Sequence, residues 1–284
     1  MLKLLKSGFF TTVQDTGRFH YRNNGVPISG AMDEISAKAI NAILGNTMDA
    51  AVLEITMTGP ILEFKEDTYI CLGGAELSAT LNNRPIRNYE CYKIEKGDIL
   101  SYGKLLKGFR GYLAVKGGFQ TTVILGSRSF YNPITPNRCL KGQESLRYDR
   151  CIFHKPKLQL PEDLNFLEEQ VLEVSKGPEY GLLSEQQLEE LFSRDFSVAK
   201  ENNRMAYQIE ETITPHKHAI LTSATLPGTI QLTPKGKLIA LMKDGQTTGG
   251  YPRILQLSAR AIAILAQKRA GDSIKFSDVN GEIT

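Results

Sequence analysis

Short runs of β-branched and aromatic residues, closed by turn formers and recurring roughly every 8–12 positions, leave this chain few folds to choose from. Val52–Thr56, Ile61–Phe64, Thr68–Leu72, Leu77–Leu81, Tyr89–Ile94 and Gly111–Val115 are such runs. Their side chains suit a pleated, half-buried surface. The pattern is that of a β-rich barrel or sandwich. Asn82-Asn83-Arg84-Pro85 reads as a hairpin turn between two of the runs.

A few helices interrupt the strands. Asp33 is placed to cap a helix reaching about Leu44, with Ile35, Ala39, Ile40, Ile43 and Leu44 on one stripe and Gly45-Asn46 after it. Ser184 and Gln187 form a capping box ahead of Leu188, Leu191 and Phe192. Ser258 is placed to cap a third helix through Ala266. Lys96-Gly97-Asp98-Ile99-Leu100-Ser101-Tyr102 is echoed by Ala270-Gly271-Asp272-Ser273-Ile274-Lys275-Phe276, a Gly-Asp turn leading into an alternating strand each time. With 284 residues, two domains are expected. The polar, aperiodic stretch between 151 and 170 marks the boundary, giving 1–155, a linker at 156–169, and 170–284. A cleft between two domains is a common place for a small-molecule site.

Charge and motif searches exclude several classes. Lys plus Arg number 34 against 31 acidic residues, a net charge of +3, with no basic block; a nucleic-acid partner is not expected. No apolar stretch approaches the ~20 residues that span a bilayer, and the first residues lack a signal-peptide cleavage site, so a cytoplasmic protein with no membrane partner is expected. Cys71, Cys91, Cys139 and Cys151 show no CxxC spacing and read as reduced, mostly buried thiols. His216 and His218 have no third ligand at suitable spacing, so no metal is expected. No phosphate-binding glycine loop and no GxSxG elbow occur, so no cofactor is bound by a recognisable motif. Lys243 in Leu241-Met242-Lys243-Asp244 is faintly similar to a biotin-acceptor lysine, but a strand end with a turn explains it better.

Three segments carry chemistry. The first runs from Thr11 through Gln14, Asp15 and Arg18 to Ser29-Gly30-Ala31-Met32-Asp33. It ends at a helix start, where backbone N–H groups suit an anion, and Arg18 can hold a carboxylate through two hydrogen bonds. A structural loop tied by Asp15 and Arg18 is the plainer alternative. The second is Gly126-Ser127-Arg128-Ser129, which offers hydroxyls and a guanidinium, or simply pins two strands. The third is Asp244-Gly245-Gln246-Thr247-Thr248-Gly249-Gly250-Tyr251-Pro252. Its paired glycines let a ligand approach the backbone, while Gln246, Thr247, Thr248 and Tyr251 supply donors and acceptors for an amide or an oxyanion. A bare hairpin connection is again the alternative.

The same residues carry a resemblance. FTTVQDTGRFHYRNNGVPISGAMD (Phe10 to Asp33), LEITMTGPILEF (Leu53 to Phe64), GGAELSATLNNRPI (Gly73 to Ile86), YLAVKGG (Tyr112 to Gly118) and VILGSRS (Val123 to Ser129) resemble the biotin-dependent carboxyltransferase family. NRMAYQIE (Asn203 to Glu210), PGTIQLTPKGKLIALMKDGQTTGGYPRI (Pro227 to Ile254) and RAGDSIKF (Arg269 to Phe276) continue the resemblance in the same order. The family includes allophanate hydrolase subunit 2, the kinase A inhibitor antagonist proteins and the C subunit of 5-oxoprolinase, and a free-standing chain of this length looks most like the last. Ala206 stands where the family usually has Gly in Arg-x-Gly-Tyr, and Ala224 where Glu is common.

The resemblance implies two cyclophilin-like β-barrel domains with short helices. It implies one component of a hydrolase acting on a cyclic amide, joined by 5-oxoprolinase subunits A and B, with ATP and Mg used by the complex. In that setting Gln246, Thr247, Thr248, Gly249, Gly250 and Tyr251 are expected to surround the reacting oxygen. Gln14, Asp15, Arg18, Asp33, Arg128 and Arg204 are expected to hold or orient the substrate. The early arginine-bearing loop and the late diglycine loop are then expected to share one crevice. The alternatives are a carboxyltransferase acting on urea or another amide with carboxybiotin, and a non-catalytic regulator that sequesters a kinase-inhibitor protein.

Overall fold

The computed structural model describes residues 1–155 and 164–278, so most of the expected linker at 156–169 lies outside the described residues. The protein is mainly β, with three short α-helices among the described residues. It divides into two compact units: Met1–Arg18 with Ser29–Glu168, and Phe19–Ile28 with Glu169–Thr284. The short excursion Phe19–Ile28 thus leaves the first unit's sequence and packs with the second.

The first unit holds two sheets. One has the order Ser145–Leu146, Leu2–Lys6, Ile61–Phe64, Ile99–Ser101, Thr80–Leu81, Arg84–Pro85; the other has Phe10–Gln14, Val52–Thr56, Lys107–Val115, Thr68–Glu76, Cys91–Ile94. Alternation along the strands explains the packing. Leu53 and Ile55, Ile70 and Leu72, Leu113 and Val115 join Leu2, Leu4, Leu62 and Phe64 from the other sheet in one core. Their neighbours Val52, Cys71, Tyr112 and Ala114 point the opposite way and meet α1 (Glu34–Ile43) through Ala37, Ile40 and Ile43. The second sheet is covered on both faces, and every residue of Val52–Thr56 is buried.

Local signals give the elements they promised. Asp33 caps α1, its carboxylate accepting from the Ser36 N–H at 2.9 Å. Asn82 and Asn83 take positive φ, 51° and 64°, and join Thr80–Leu81 to Arg84–Pro85 as a tight hairpin. The expected run Leu77–Leu81 is shortened to Thr80–Leu81. Ser78 takes φ 47° and donates its hydroxyl to the Lys104 carbonyl at 2.8 Å, which breaks the alternation.

The second unit closes into a seven-stranded barrel: Val171–Lys176, Arg253–Leu257, Thr229–Leu232, Lys237–Leu241, Ala206–Thr212, Phe196–Asn202 and Ser273–Asp278. The parallel pair of Val171–Lys176 with Ser273–Asp278 seals it. α2 (Glu185–Ser193) starts with the expected capping box, and Gln187 also donates to the Thr214 carbonyl at 2.7 Å. α3 (Ala259–Ala266) is capped by Ser258 and buried from Ala261 onward. The Gly-Asp echo is a shared backbone device. Gly97 and Gly271 both have positive φ, and the following Asp98 and Asp272 accept from the N–H three residues back at 2.8 and 2.7 Å. Each turn is also tied to a neighbouring strand, the Gly97 N–H donating to the Phe64 carbonyl at 2.7 Å and the Gly271 N–H to the Val198 carbonyl at 2.8 Å.

Candidate functional site

In the first unit, Asp15 is the hub of the early loop. One carboxylate oxygen accepts from the Gly17 N–H at 2.8 Å and from the Ser127 and Ser129 hydroxyls at 2.6 Å each. The other accepts from the Arg128 N–H at 2.5 Å. Arg18 is fully buried and donates through Nε to the Ile124 carbonyl at 3.2 Å and through Nη2 to the Ser129 carbonyl. Arg128 donates to the Thr121 carbonyl and to the Gln120 side-chain oxygen. The structure therefore brings Asp15, Arg18 and Arg128 together, but both guanidinium groups bind protein oxygens and fasten one loop to the next. Gln14 lies beside them, its amide nitrogen on Thr12 Oγ1 at 3.0 Å and on the Phe130 carbonyl at 3.3 Å. With Asp15, Thr16, Ala31, Lys38 and Asn41 it lines a small, open hollow.

The start of α1 is likewise occupied from within. The Ala31 N–H donates to the Asp15 carbonyl, the Met32 N–H to Glu54 Oε2 at 2.7 Å, and the Asp33 N–H to the Tyr112 hydroxyl at 2.9 Å. Gly30 permits this path: φ is +85°, and a Cβ there would lie 2.9 Å from the Thr16 carbonyl oxygen. Tyr112 in turn donates to Glu54 Oε2 at 2.9 Å, and Arg110 lies 3.9 Å from the other Glu54 oxygen. Burial, with Glu54 and Asp33 adding negative charge, pushes the Tyr112 phenol far up, so it stays protonated and keeps donating. The sequence reading missed Glu54 and Arg110. Their signal was a charge inside strands that are otherwise apolar.

The second unit holds the late loop. The Thr225 N–H donates to the Thr247 carbonyl at 3.0 Å, and its hydroxyl donates to the Gln246 carbonyl. Ser223–Ala224 pairs with Thr248–Gly249, setting Ala224 opposite Thr248. Gly249 is buried, and a Cβ there would lie 2.4 Å from the Gln231 amide nitrogen. Gln246, Thr248, Gly250 and Tyr251 are exposed, and Thr247 is half-buried. The loop is held by its carbonyls and offers its side chains outward. Arg204 grips Asp244 at the loop's base, Nε to Oδ2 at 2.8 Å and Nη2 to Oδ1 at 3.2 Å. It acts here as a strut.

Two further arginines flank the loop, neither singled out by sequence. Arg253 donates to the Ala224 carbonyl at 2.5 Å and holds Glu179 through Nε at 2.8 Å and Nη2 at 2.6 Å. These hydrogen bonds keep the Glu179 carboxyl below the usual glutamate range. A depressed carboxylate stabilises the fold above its unfolded pKa, and that contribution disappears as the pH falls through the folded value. The second unit should therefore lose stability below the ordinary glutamate range. Glu179→Gln should flatten that acid limb in a series of thermal melts between neutral and acid pH. Arg22, from the excursion Phe19–Ile28, donates through Nη2 to the Thr225 carbonyl.

His216 Nδ1 accepts from the His218 N–H at 3.1 Å and its Nε2 faces the Leu232 carbonyl at 3.2 Å, so both ring nitrogens are engaged. Among the described residues no group of three His, Cys, Asp or Glu side chains is placed to hold a metal ion. Cys71 is buried, and burial holds its thiol far above the usual range; Cys91, Cys139 and Cys151 are only partly buried. Lys243 is 9% exposed and follows the strand Lys237–Leu241, whereas a carrier lysine has to swing free on an exposed turn. Among the described residues no helix is long and apolar enough to cross a membrane.

Comparison with known proteins agrees with this architecture. The C subunit of 5-oxoprolinase from Haemophilus influenzae is 30% identical over 291 residues, spanning 99% of this chain and 92% of its own. The crystal structure of TTHA0988 superposes with a TM-score of 0.88 at 28% identity over 97% of this chain; the chain spans 56% of that protein's length. The K. lactis urea amidolyase superposes with a TM-score of 0.87 at 28% identity over 98% of this chain, which spans 19% of that enzyme. The carboxyltransferase domain, subdomains A and B, matches residues 24–278. The chain belongs to this carboxyltransferase domain family.

Proposed function

We propose that this chain is the C subunit of an ATP-dependent 5-oxoprolinase that opens 5-oxo-L-proline to L-glutamate together with partner subunits A and B. The observation that carries the reading is the end-to-end correspondence with the H. influenzae 5-oxoprolinase protein, 92% of whose length is covered. On this reading both units are cyclophilin-like, the second as a closed barrel and the first as two sheets about one core, and the protein works in the cytoplasm.

A lactam amide is resonance-stabilised and resists water. In the proposed reaction the lactam oxygen takes the γ-phosphoryl group of magnesium-bound ATP, releasing ADP. Water attacks the activated carbon and the ring C–N bond opens, the amine taking a proton and leaving an acyl phosphate; a second water hydrolyses that acyl phosphate to give glutamate and phosphate. ATP is a substrate of the complex here, and no group on this chain is assigned to its phosphates. The chain's part is to hold the substrate and to meet charge on the reacting oxygen. The exposed loop suits both roles, because Gln246, Thr248 and the Gly250 N–H supply donors on a backbone already fixed by Thr225. Tyr251, 42% exposed, adds a ring against which a flat lactam can lie.

The test is ATP-dependent glutamate release by the complex reconstituted from all three proteins. The double substitution Thr247→Ala/Thr248→Ala should lower kcat/KM by about 10–100-fold, as expected for lost donors to a charged oxygen. Undiminished release would remove the loop from the chemistry. A second reading is carboxyl transfer to urea or another amide, favoured by the superposition on urea amidolyase. It needs a biotin carrier other than Lys243, which is buried. Bicarbonate-dependent carboxylation with a biotinylated partner, and no glutamate release, would select it.

A further inference from the structure

We propose that Arg22, together with the loop Gln246–Thr248, forms a carboxylate-binding subsite in the second unit, with Arg22 taking the substrate's carboxylate. The proposal rests on the 5-oxoprolinase reading, in which the substrate carries one carboxylate beside its lactam.

The first observation is placement. Arg22 opens a single 3-10 turn, Arg22–Asn24, and reaches across 203 residues to the Thr225 carbonyl. Thr225 is the same residue that holds the carbonyls of Gln246 and Thr247. The guanidinium therefore stands one residue away from the exposed donors of the late loop. The excursion Phe19–Ile28 leaves the first unit's sequence and packs with the second, and one result is to deliver this cation.

The second observation is charge. The neighbouring arginines are each met by protein oxygen: Arg253 by Glu179 and the Ala224 carbonyl, Arg204 by Asp244. Arg22 is half-buried, and among the described residues no carboxylate pairs with it. Its Nη1 is out of contact with solvent and has no hydrogen-bond partner. Burial lowers its pKa. A half-buried cation without a counter-ion is costly, and an anion that docks beside it relieves the cost.

The third observation is shape. With Nη2 on a carbonyl, the guanidinium keeps a second Nη2 N–H and both Nη1 N–H groups. That is the parallel pair a carboxylate accepts through two hydrogen bonds. The Arg22 side chain has four rotatable bonds, so Nη1 can turn to meet the ligand while the backbone stays in place.

Two measurements test the subsite. The first is the rate at which phenylglyoxal modifies Arg22 on the full chain, followed by peptide mass spectrometry. 5-Oxoproline should slow the modification several-fold. 2-Pyrrolidinone, the same lactam without a carboxylate, should not, and inorganic phosphate should protect no better than chloride at equal ionic strength. Protection by phosphate alone, or by nothing, overturns the proposal. The second is kinetics of the reconstituted complex. Arg22→Gln should raise KM for 5-oxoproline by roughly 10–100-fold, with the KM for ATP unchanged and Arg22→Lys intermediate, as expected for a lost charge-assisted pair. An unchanged KM for 5-oxoproline in Arg22→Gln overturns the assignment. Protection without turnover keeps the subsite and discards the oxoprolinase reading. Turnover without protection discards the subsite alone.

Discussion

Replacing Glu54 with alanine should destabilise the first unit by about 3–5 kcal/mol, the usual cost of removing one partner from a buried charged network. Glu54 is 1% exposed, and its Oε2 accepts from both the Met32 N–H and the Tyr112 hydroxyl. Without it, both donors lose their acceptor inside the protein, and the start of α1 loses an anchor. The charge itself is a separate matter. Glu54→Leu combined with Arg110→Met removes both ionic groups and replaces them with apolar volume. That double variant should be less damaged than the sum of its single changes by at least about 1 kcal/mol. Calorimetric melts of the four proteins in the cycle measure this. Additive losses would mean that Glu54 and Arg110, 3.9 Å apart, do not act as a unit.

Asp15→Ala should cost about 3 kcal/mol, because four donors converge on one partly buried carboxylate and each donor stranded inside a protein costs about 1–3 kcal/mol. The hydroxyls of Ser127 and Ser129 can turn to other acceptors, which keeps the loss below the full sum. The N–H groups of Gly17 and Arg128 cannot turn. For a unit of this size, ~3 kcal/mol corresponds to a fall of roughly 6–12 °C in Tm. Asp15→Asn should recover only part of it. Its carboxamide oxygen can serve one side, but its NH2 then faces a donor on the other. A melting temperature within about 1 °C of wild type for Asp15→Ala would refute the hub, since even one stranded donor exceeds that shift.

These two residues show where local reading stops. Asp15 lay in a segment marked as chemical, and its partners include Ser127 and Ser129, 112 and 114 residues away. Arg18, in a glycine-rich loop, is expected with Arg128 as a holder of carboxylate, and it donates to the Ile124 and Ser129 carbonyls of the first unit. It is Arg22, four residues later, that packs with the barrel carrying the late loop. Nothing within a few residues of either arginine says which one will be covered by carbonyls. Glu54 and Arg110 were visible as charges in apolar strands, but only their antiparallel neighbours show that Tyr112 joins them.

The helix starts at Asp33, Ser184 and Ser258, the asparagine hairpin at 82–83 and the paired Gly-Asp turns were all legible in the chain itself. Each depends on backbone angles and on hydrogen bonds that close within four residues, so residue identity settles them. The strand pattern alone does not tell that the second sheet is covered on both sides, as the burial of every residue of Val52–Thr56 shows. Tertiary structure alone decided which polar groups bind other protein atoms and which stay exposed. That choice depends on partners more than a hundred residues distant, and burial turns a weak surface contact into one that holds the loop in place.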